Sequence, residues 1–89
     1  MLYPFMTLND DTEITHSKMQ KDGTVKVYFE TPTNEGFDSA LCKLPGYEWE
    51  RVDGYTTEQL DTFRKLIEKN AHLILEFSQE GGILNATTA

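Results

Sequence analysis

The chain has 89 residues, a formal net charge of −7 and an aromatic content of 11%. This length allows one domain with a single modest core, and the aromatic content argues against intrinsic disorder in the body of the chain. The only two adjacent basic residues are Arg64 and Lys65. Because phosphate binding depends on clustered Lys and Arg, direct nucleic-acid binding is disfavoured. The net negative charge instead favours attraction to a basic partner.

The cysteine content and the N-terminal segment both predict a cytoplasmic protein. Cys42 is the single cysteine, so an intramolecular disulfide is impossible, which fits a reducing compartment. Residues 1–11 lack a basic n-region and are interrupted by Pro4, so we do not expect a signal peptide. No apolar run approaches the ~20 residues that span a bilayer, and we expect no membrane contact.

The first two segments predict strands of unequal strength. Residues 2–8 form an expected first strand, which Pro4 places at a sheet edge because proline cannot donate to a ladder. Residues 12–19 are a weaker strand, since Ile14 and Met19, its strongly apolar residues, fall on opposite faces. This pattern indicates an edge strand or a strand with a bulge.

The middle of the chain predicts a hairpin followed by a longer strand. Asp22-Gly23 is the strongest hairpin signal in the chain, because this pair accepts the positive φ of a tight turn. Residues 25–30 and 37–44 alternate with period two. We interpret residues 47–51 as an extension of the last strand past a Pro45-Gly46 kink. Short connections favour an antiparallel meander of three or four strands.

After Gly54 the period becomes helical. Thr56 is the expected N-cap, Gln59 completes a capping box, and Tyr55 is expected to staple onto Leu60. The predicted helix covers Thr57–Glu80 and ends before Gly81-Gly82. Its apolar residues fall within an arc of about 200°; they are Leu60, Phe63, Leu66, Ile67, Ala71, Leu73, Ile74, Leu75 and Phe77.

The sequence therefore predicts an α+β fold, in which a three- or four-stranded antiparallel β-meander is followed by one long C-terminal α-helix packed on one face of the sheet. We expect residues 1–82 to form a single domain and residues 83–89 to be a frayed tail. A strand through residues 73–77 is the alternative to the unbroken helix. Leu73 and Leu75 lie at the two margins of the apolar arc, and a small sheet would leave them exposed, which favours a partner chain.

Two sets of residues are candidates for metal binding or catalysis. Glu68, His72 and Glu76 lie four residues apart on one helix face and could ligate a divalent metal; we expect a solvated face with i,i+4 pairing instead. Cys42 could be a nucleophile with His16 or His72 as its base. We interpret Cys42 as a small buried hydrophobe and His16 as an exposed side chain on an edge strand.

Two acids in the predicted strand extension are a further catalytic candidate. Glu48 and Glu50 alternate onto one solvent face, and a glycosidase-like pair of carboxylates needs a cleft. We therefore predict no enzymatic activity, no cofactor and no bound metal.

The segment of residues 44–55 is the strongest candidate for a partner-binding surface. It contains Tyr47, Trp49 and Tyr55 around two turns, and Tyr and Trp combine apolar area with a polar group, as interface hot spots do. The alternative is that Trp49 anchors the sheet to the helix. We predict that these three aromatics bind a partner together with Leu73 and Leu75.

The same segment resembles the HicB family of bacterial antitoxins, in which a small sheet carries an LPG stretch shortly before a helix. Here Leu44-Pro45-Gly46 precedes Gly54, and Thr56 opens the helix, over about fifteen positions and with a longer spacing. The resemblance implies an inhibitor-type role.

The sequence predicts a small acidic cytoplasmic protein–protein interaction module that associates with itself. The alternative is a charge-mimicking inhibitor or antitoxin that occupies the basic cleft of a nucleic-acid enzyme.

Overall fold

The computed structural model describes residues 1–80, which form five strands and one helix. The strands are β1 (Tyr3–Thr7), β2 (Glu13–His16), β3 (Val25–Thr33), β4 (Gly36–Leu44) and β5 (Glu48–Asp53), and the helix is α1 (Thr57–Glu80). The sheet order is β1-β2-β3-β4-β5, and all neighbours are antiparallel. The α+β meander with a C-terminal helix is confirmed, but the predicted number of three or four strands is wrong, because residues 1–80 form five. The predicted tail, residues 83–89, lies outside the described residues.

The fifth strand exists because the chain reverses direction where we predicted a kink. Tyr47, with a φ of 55°, lies in the turn between β4 and β5. Beyond it, Lys43 pairs with Glu48 and Cys42 pairs with Trp49 across the two strands. The segment is therefore a hairpin partner of β4 and not its continuation.

β1 lies at a sheet edge, as Pro4 predicted, but β2 does not. β2 lies between β1 and β3, and the irregularity in pairing is in β1, between Pro4 and Met6. Within β2 the two inward residues are Ile14 and His16, both buried. Met19 lies beyond the end of the strand, so its position relative to Ile14 carried no information about the strand faces.

The predicted turn at Asp22-Gly23 is confirmed. Gly23 has a φ of 83°, and the Asp22 carboxylate accepts hydrogen bonds from the Thr24 amide at 3.1 Å and from the Thr24 hydroxyl at 2.6 Å. These bonds stabilise the charged carboxylate and lower the pKa of Asp22.

The predicted capping box begins α1. The Thr56 amide donates to Gln59 Oε1 at 2.8 Å, and the Gln59 amide donates to Thr56 Oγ1 at 3.1 Å. α1 continues through residues 73–77, so the alternative of a strand there is wrong. His72 is exposed on the outer face of the helix, as predicted.

The core lies between α1 and one face of the sheet. Phe29 stacks on Phe63, with ring centroids 4.6 Å apart, and Tyr55 meets Phe63 edge-on at 5.0 Å. Burying each such side chain contributes about 1.5–3 kcal/mol. The remaining buried hydrophobic residues of this layer are Ile14, Val25, Val27, Ala40, Cys42, Leu44, Ile67 and Ile74.

Candidate functional site

The sheet has a second face, on the side away from α1, which we call the open face. Its side chains alternate with the core residues along the strands, and α1, the only helix within residues 1–80, packs on the other side. The open face comprises Pro4, Thr7, Glu13, Thr15, Lys26, Tyr28, Glu30, Pro32, Phe37, Ser39, Leu41, Lys43, Glu48, Arg51 and Asp53.

The centre of the open face is a cross-strand row with an apolar core. Thr15 pairs with Tyr28, Tyr28 with Leu41, and Leu41 with Arg51. Leu41 is only 7% exposed, although it is not part of the cluster beneath α1. A shallow depression of ≈ 200 Å³ lies above it; its outward-facing lining is Tyr28, Glu30, Ser39, Leu41 and Arg51.

One end of the open face is acidic. Glu13 and Glu30 are direct cross-strand partners, and the described residues place no Lys, Arg or His nitrogen within salt-bridge distance of either. Phe37, beside them, is 64% exposed. A depression of ≈ 520 Å³ is lined here by Thr7, Asp11, Glu13, Glu30, Pro32 and Phe37.

The other end of the open face carries two lysines. Lys26 and Lys43 are direct cross-strand partners, both half-buried. Lys43 Nζ lies 3.9 Å from Glu50 Oε1, a long ion pair, and Lys26 forms no such pair within residues 1–80. Like charges directly opposite each other destabilise a sheet, so each end of this face carries an unfavourable pair.

The predicted partner-binding aromatics lie largely on the core side of the sheet. Trp49 is half-buried, with its ring 5.7 Å from that of Phe29, and Tyr47 is also half-buried against the core. Tyr55 is 8% exposed, and its hydroxyl donates to the Asp38 carbonyl at 3.1 Å and lies 2.8 Å from Thr31 Oγ1. Burial raises the pKa of Tyr55.

The two predicted leucines lie in the second half of α1. Leu73 and Leu75 are both half-buried, and Leu75 packs against the core. At 1.5 Å per residue, Leu73 lies about 24 Å along α1 from Thr57, the first residue of the helix. Tyr55, which precedes the helix, is therefore far from both leucines.

His16 is buried, and our prediction of an exposed edge position is wrong because β2 is an interior strand. Its Nδ1 lies 2.9 Å from the Ser17 carbonyl oxygen, which can only accept, so Nδ1 carries the hydrogen. Nε2 is buried and has no hydrogen-bond partner among the described residues. The rings of Tyr3 and Phe5 lie 5.7 and 6.4 Å from the imidazole.

Cys42 is a buried side chain of the core, as predicted. Burial, with a contribution from the charge of Glu50, raises the pKa of its thiol to about 11, so the reactive thiolate is disfavoured. His16 and Cys42 belong to one cross-strand row but are separated by Val27. Two strand spacings of about 4.8 Å put their backbones nearly 10 Å apart, so the imidazole is not placed as a base for the thiol.

The remaining acidic candidates lie on the surface. Glu68, His72 and Glu76 are exposed on α1, and Glu68 Oε1 accepts a hydrogen bond from Arg64 Nη1 at 3.3 Å. Residues 1–80 contain no group of three or more His, Cys, Asp or Glu side chains arranged to hold a metal ion. α1, the single described helix, is not apolar enough over its length to cross a bilayer.

Comparison with protein-family models, with curated proteins and with solved structures found no match to this chain.

Proposed function

We propose that the protein is a cytoplasmic, non-catalytic protein–protein interaction module that binds through its open face. One observation carries this proposal: the five-stranded sheet has a helix on one side, while the other side presents Tyr28 over the buried Leu41 at its centre and an exposed Phe37 at its acidic end. Tyr and Phe supply much of the binding energy where they are desolvated by a partner.

The open face replaces residues 47–55 as the leading surface in this proposal. Tyr55 is occupied by its contacts with Phe63, Thr31 and Asp38, which leaves it little area to offer a partner. Tyr47, Trp49, Leu73 and Leu75 keep partial exposure and form secondary candidate contacts at the margins of the helix layer.

Affinity capture with matched variants tests the proposal. The wild-type chain, Phe37→Ser and Val52→Ser are immobilised and exposed to extract of the source cells, and bound proteins are quantified by mass spectrometry. Phe37 and Val52 are both exposed strand residues, at 64% and 44%, but Val52 lies on the helix side. We expect a partner that is lost with Phe37→Ser and retained with Val52→Ser. Equal retention by both variants would refute the open face as the binding surface.

A second candidate function is that of a charge-mimicking inhibitor or antitoxin for a basic nucleic-acid enzyme. It is favoured by the adjacent Glu13 and Glu30, which have no cationic partner among the described residues, and by the net charge of −7. The affinity for such a partner should fall steeply as salt is raised, because screening weakens contacts between exposed charges. Binding that is insensitive to salt would favour apolar contact through Tyr28 and Phe37 instead.

A further inference from the structure

The charges of the open face are arranged with opposite signs about its centre. Along β3, Glu30 and Lys26 lie on either side of Tyr28, two residues away in each direction. At about 3.3 Å per residue the two charges are roughly 13 Å apart. Each belongs to a like-charge cross-strand pair, Glu30 with Glu13 and Lys26 with Lys43.

An isologous contact pairs the same patch on two subunits, so it is favourable only when the patch complements itself. Consider a two-fold axis that lies in the interface, parallel to the Thr15–Tyr28–Leu41 row. Each residue of the row then faces the same residue of the second copy, and the strands of the two copies run in opposite directions. Glu30 of one copy then lies over Lys26 of the other, and the same contact occurs twice. One member of each like-charge pair, Glu30 or Lys26, therefore faces opposite charge in the dimer, while Glu13 lies over Ser17 and Lys43 over Ser39 of the other copy.

We propose that the open face is the contact surface between two copies of this chain, packed about that two-fold axis. The proposal rests on the proposed function and names the partner of the same face. Tyr28 lies at the centre of the contact, and the depression above the buried Leu41 receives side chains of the second copy. Charged groups surround this centre on both sides, as in the polar rim of an interface.

The fit is confined to the three central strands. On β5 the reversal places Glu48 over Asp53 and Arg51 over the Arg51 of the other copy, so β5 opposes the contact and must lie outside it. An area three strands wide is small for a stable interface. We therefore expect a weak dimer, with a dissociation constant on the order of 100 µM.

Charge exchange with sedimentation analysis tests the proposal. The wild-type chain is measured over concentrations from about 20 µM to about 1 mM, together with Glu30→Lys, Lys26→Glu and the double variant. Each single variant places like charges across the axis, so we expect its dissociation constant to rise by about tenfold or more. The double variant restores opposite charges in exchanged positions, and its constant should return to within about threefold of the wild-type value.

Two controls separate loss of the interface from loss of the fold. Each single substitution removes a like-charge pair within the chain, so thermal stability at low concentration should be unchanged or higher. Glu76→Lys and Lys69→Glu make the same charge changes on the exposed face of α1 and should leave the dissociation constant unchanged.

A strictly monomeric wild-type chain up to about 1 mM overturns the proposal. So does a dimer that the single substitutions leave intact, or one that the double variant fails to restore. In each case, capture of another protein that depends on Phe37 would still support the proposed function, with a different molecule as the partner.

Discussion

At the scale of single residues, the environment of Cys42 makes the stability of the fold depend on pH. Burial raises the pKa of the thiol to about 11 from its usual 9.0, so the folded chain holds this proton more tightly than the unfolded chain. The resulting stabilisation is complete below about pH 9 and is lost as the pH rises through about 11. A shift of this size corresponds to roughly 2–3 kcal/mol.

Urea unfolding of the wild-type chain and Cys42→Ala from about pH 8 to about pH 11 measures this effect. Near pH 8 the wild type should be the more stable, because the substitution leaves a small cavity. The difference in free energy of unfolding should shrink as the pH rises, since only the wild type carries the thiol. Tyr55, whose pKa is also raised by burial, is present in both chains and cancels. A difference that stays constant over this range would contradict the prediction.

The burial of His16 shows what a residue pattern cannot predict. Its sequence neighbours are Thr15 and Ser17, and nothing in this polar context indicates a buried ring. Burial results from the pairing of β2 with β1 and β3, which brings Tyr3 and Val27 opposite His16. The same limit applies to the open face: alternation directs Tyr28 away from the core, but only the register places Leu41 beside it.

At the scale of elements, long periodic segments were predictable and short ones were not. α1 has 24 residues, a consistent helical period and a capping box at its first turn, so independent signals agreed on its limits. β2 has four residues, too few for alternation to define a face. β5 was missed because residues 45–47 complete a reversal in only three positions, which in the sequence looks the same as a kink.

The capping box yields a prediction for α1. Thr56→Ala removes the hydroxyl that accepts the Gln59 amide, which leaves a helix N–H without its partner. We expect a loss of about 1 kcal/mol in the free energy of unfolding. Thr56→Ser keeps a hydroxyl at the same position and should lose much less. Equal losses for the two variants in thermal or urea unfolding would show that the cap contributes nothing.

At the scale of the whole molecule, a single layer of contacts between α1 and the sheet makes each dependent on the other. The sheet has no second layer among the described residues, so its core residues are buried only by the helix. In turn, most of the stability of a helix in a protein comes from packing of its apolar face. The sheet and α1 should therefore unfold together in one transition.

Ile67→Ala tests this mutual dependence. Ile67 is 1% exposed in the core cluster, and truncating it should cost about 2–5 kcal/mol through lost burial and the cavity left behind. Trp49 fluorescence reports on the sheet, since the indole packs beside Phe29, and far-ultraviolet circular dichroism reports mainly on α1. Both signals should shift to the same lower urea midpoint, whereas Leu73→Ala, at the half-buried margin, should shift both by less. If the helix signal were lost at lower urea than the Trp49 signal, the sheet would be stable without its helix layer, and the predicted mutual dependence would be wrong.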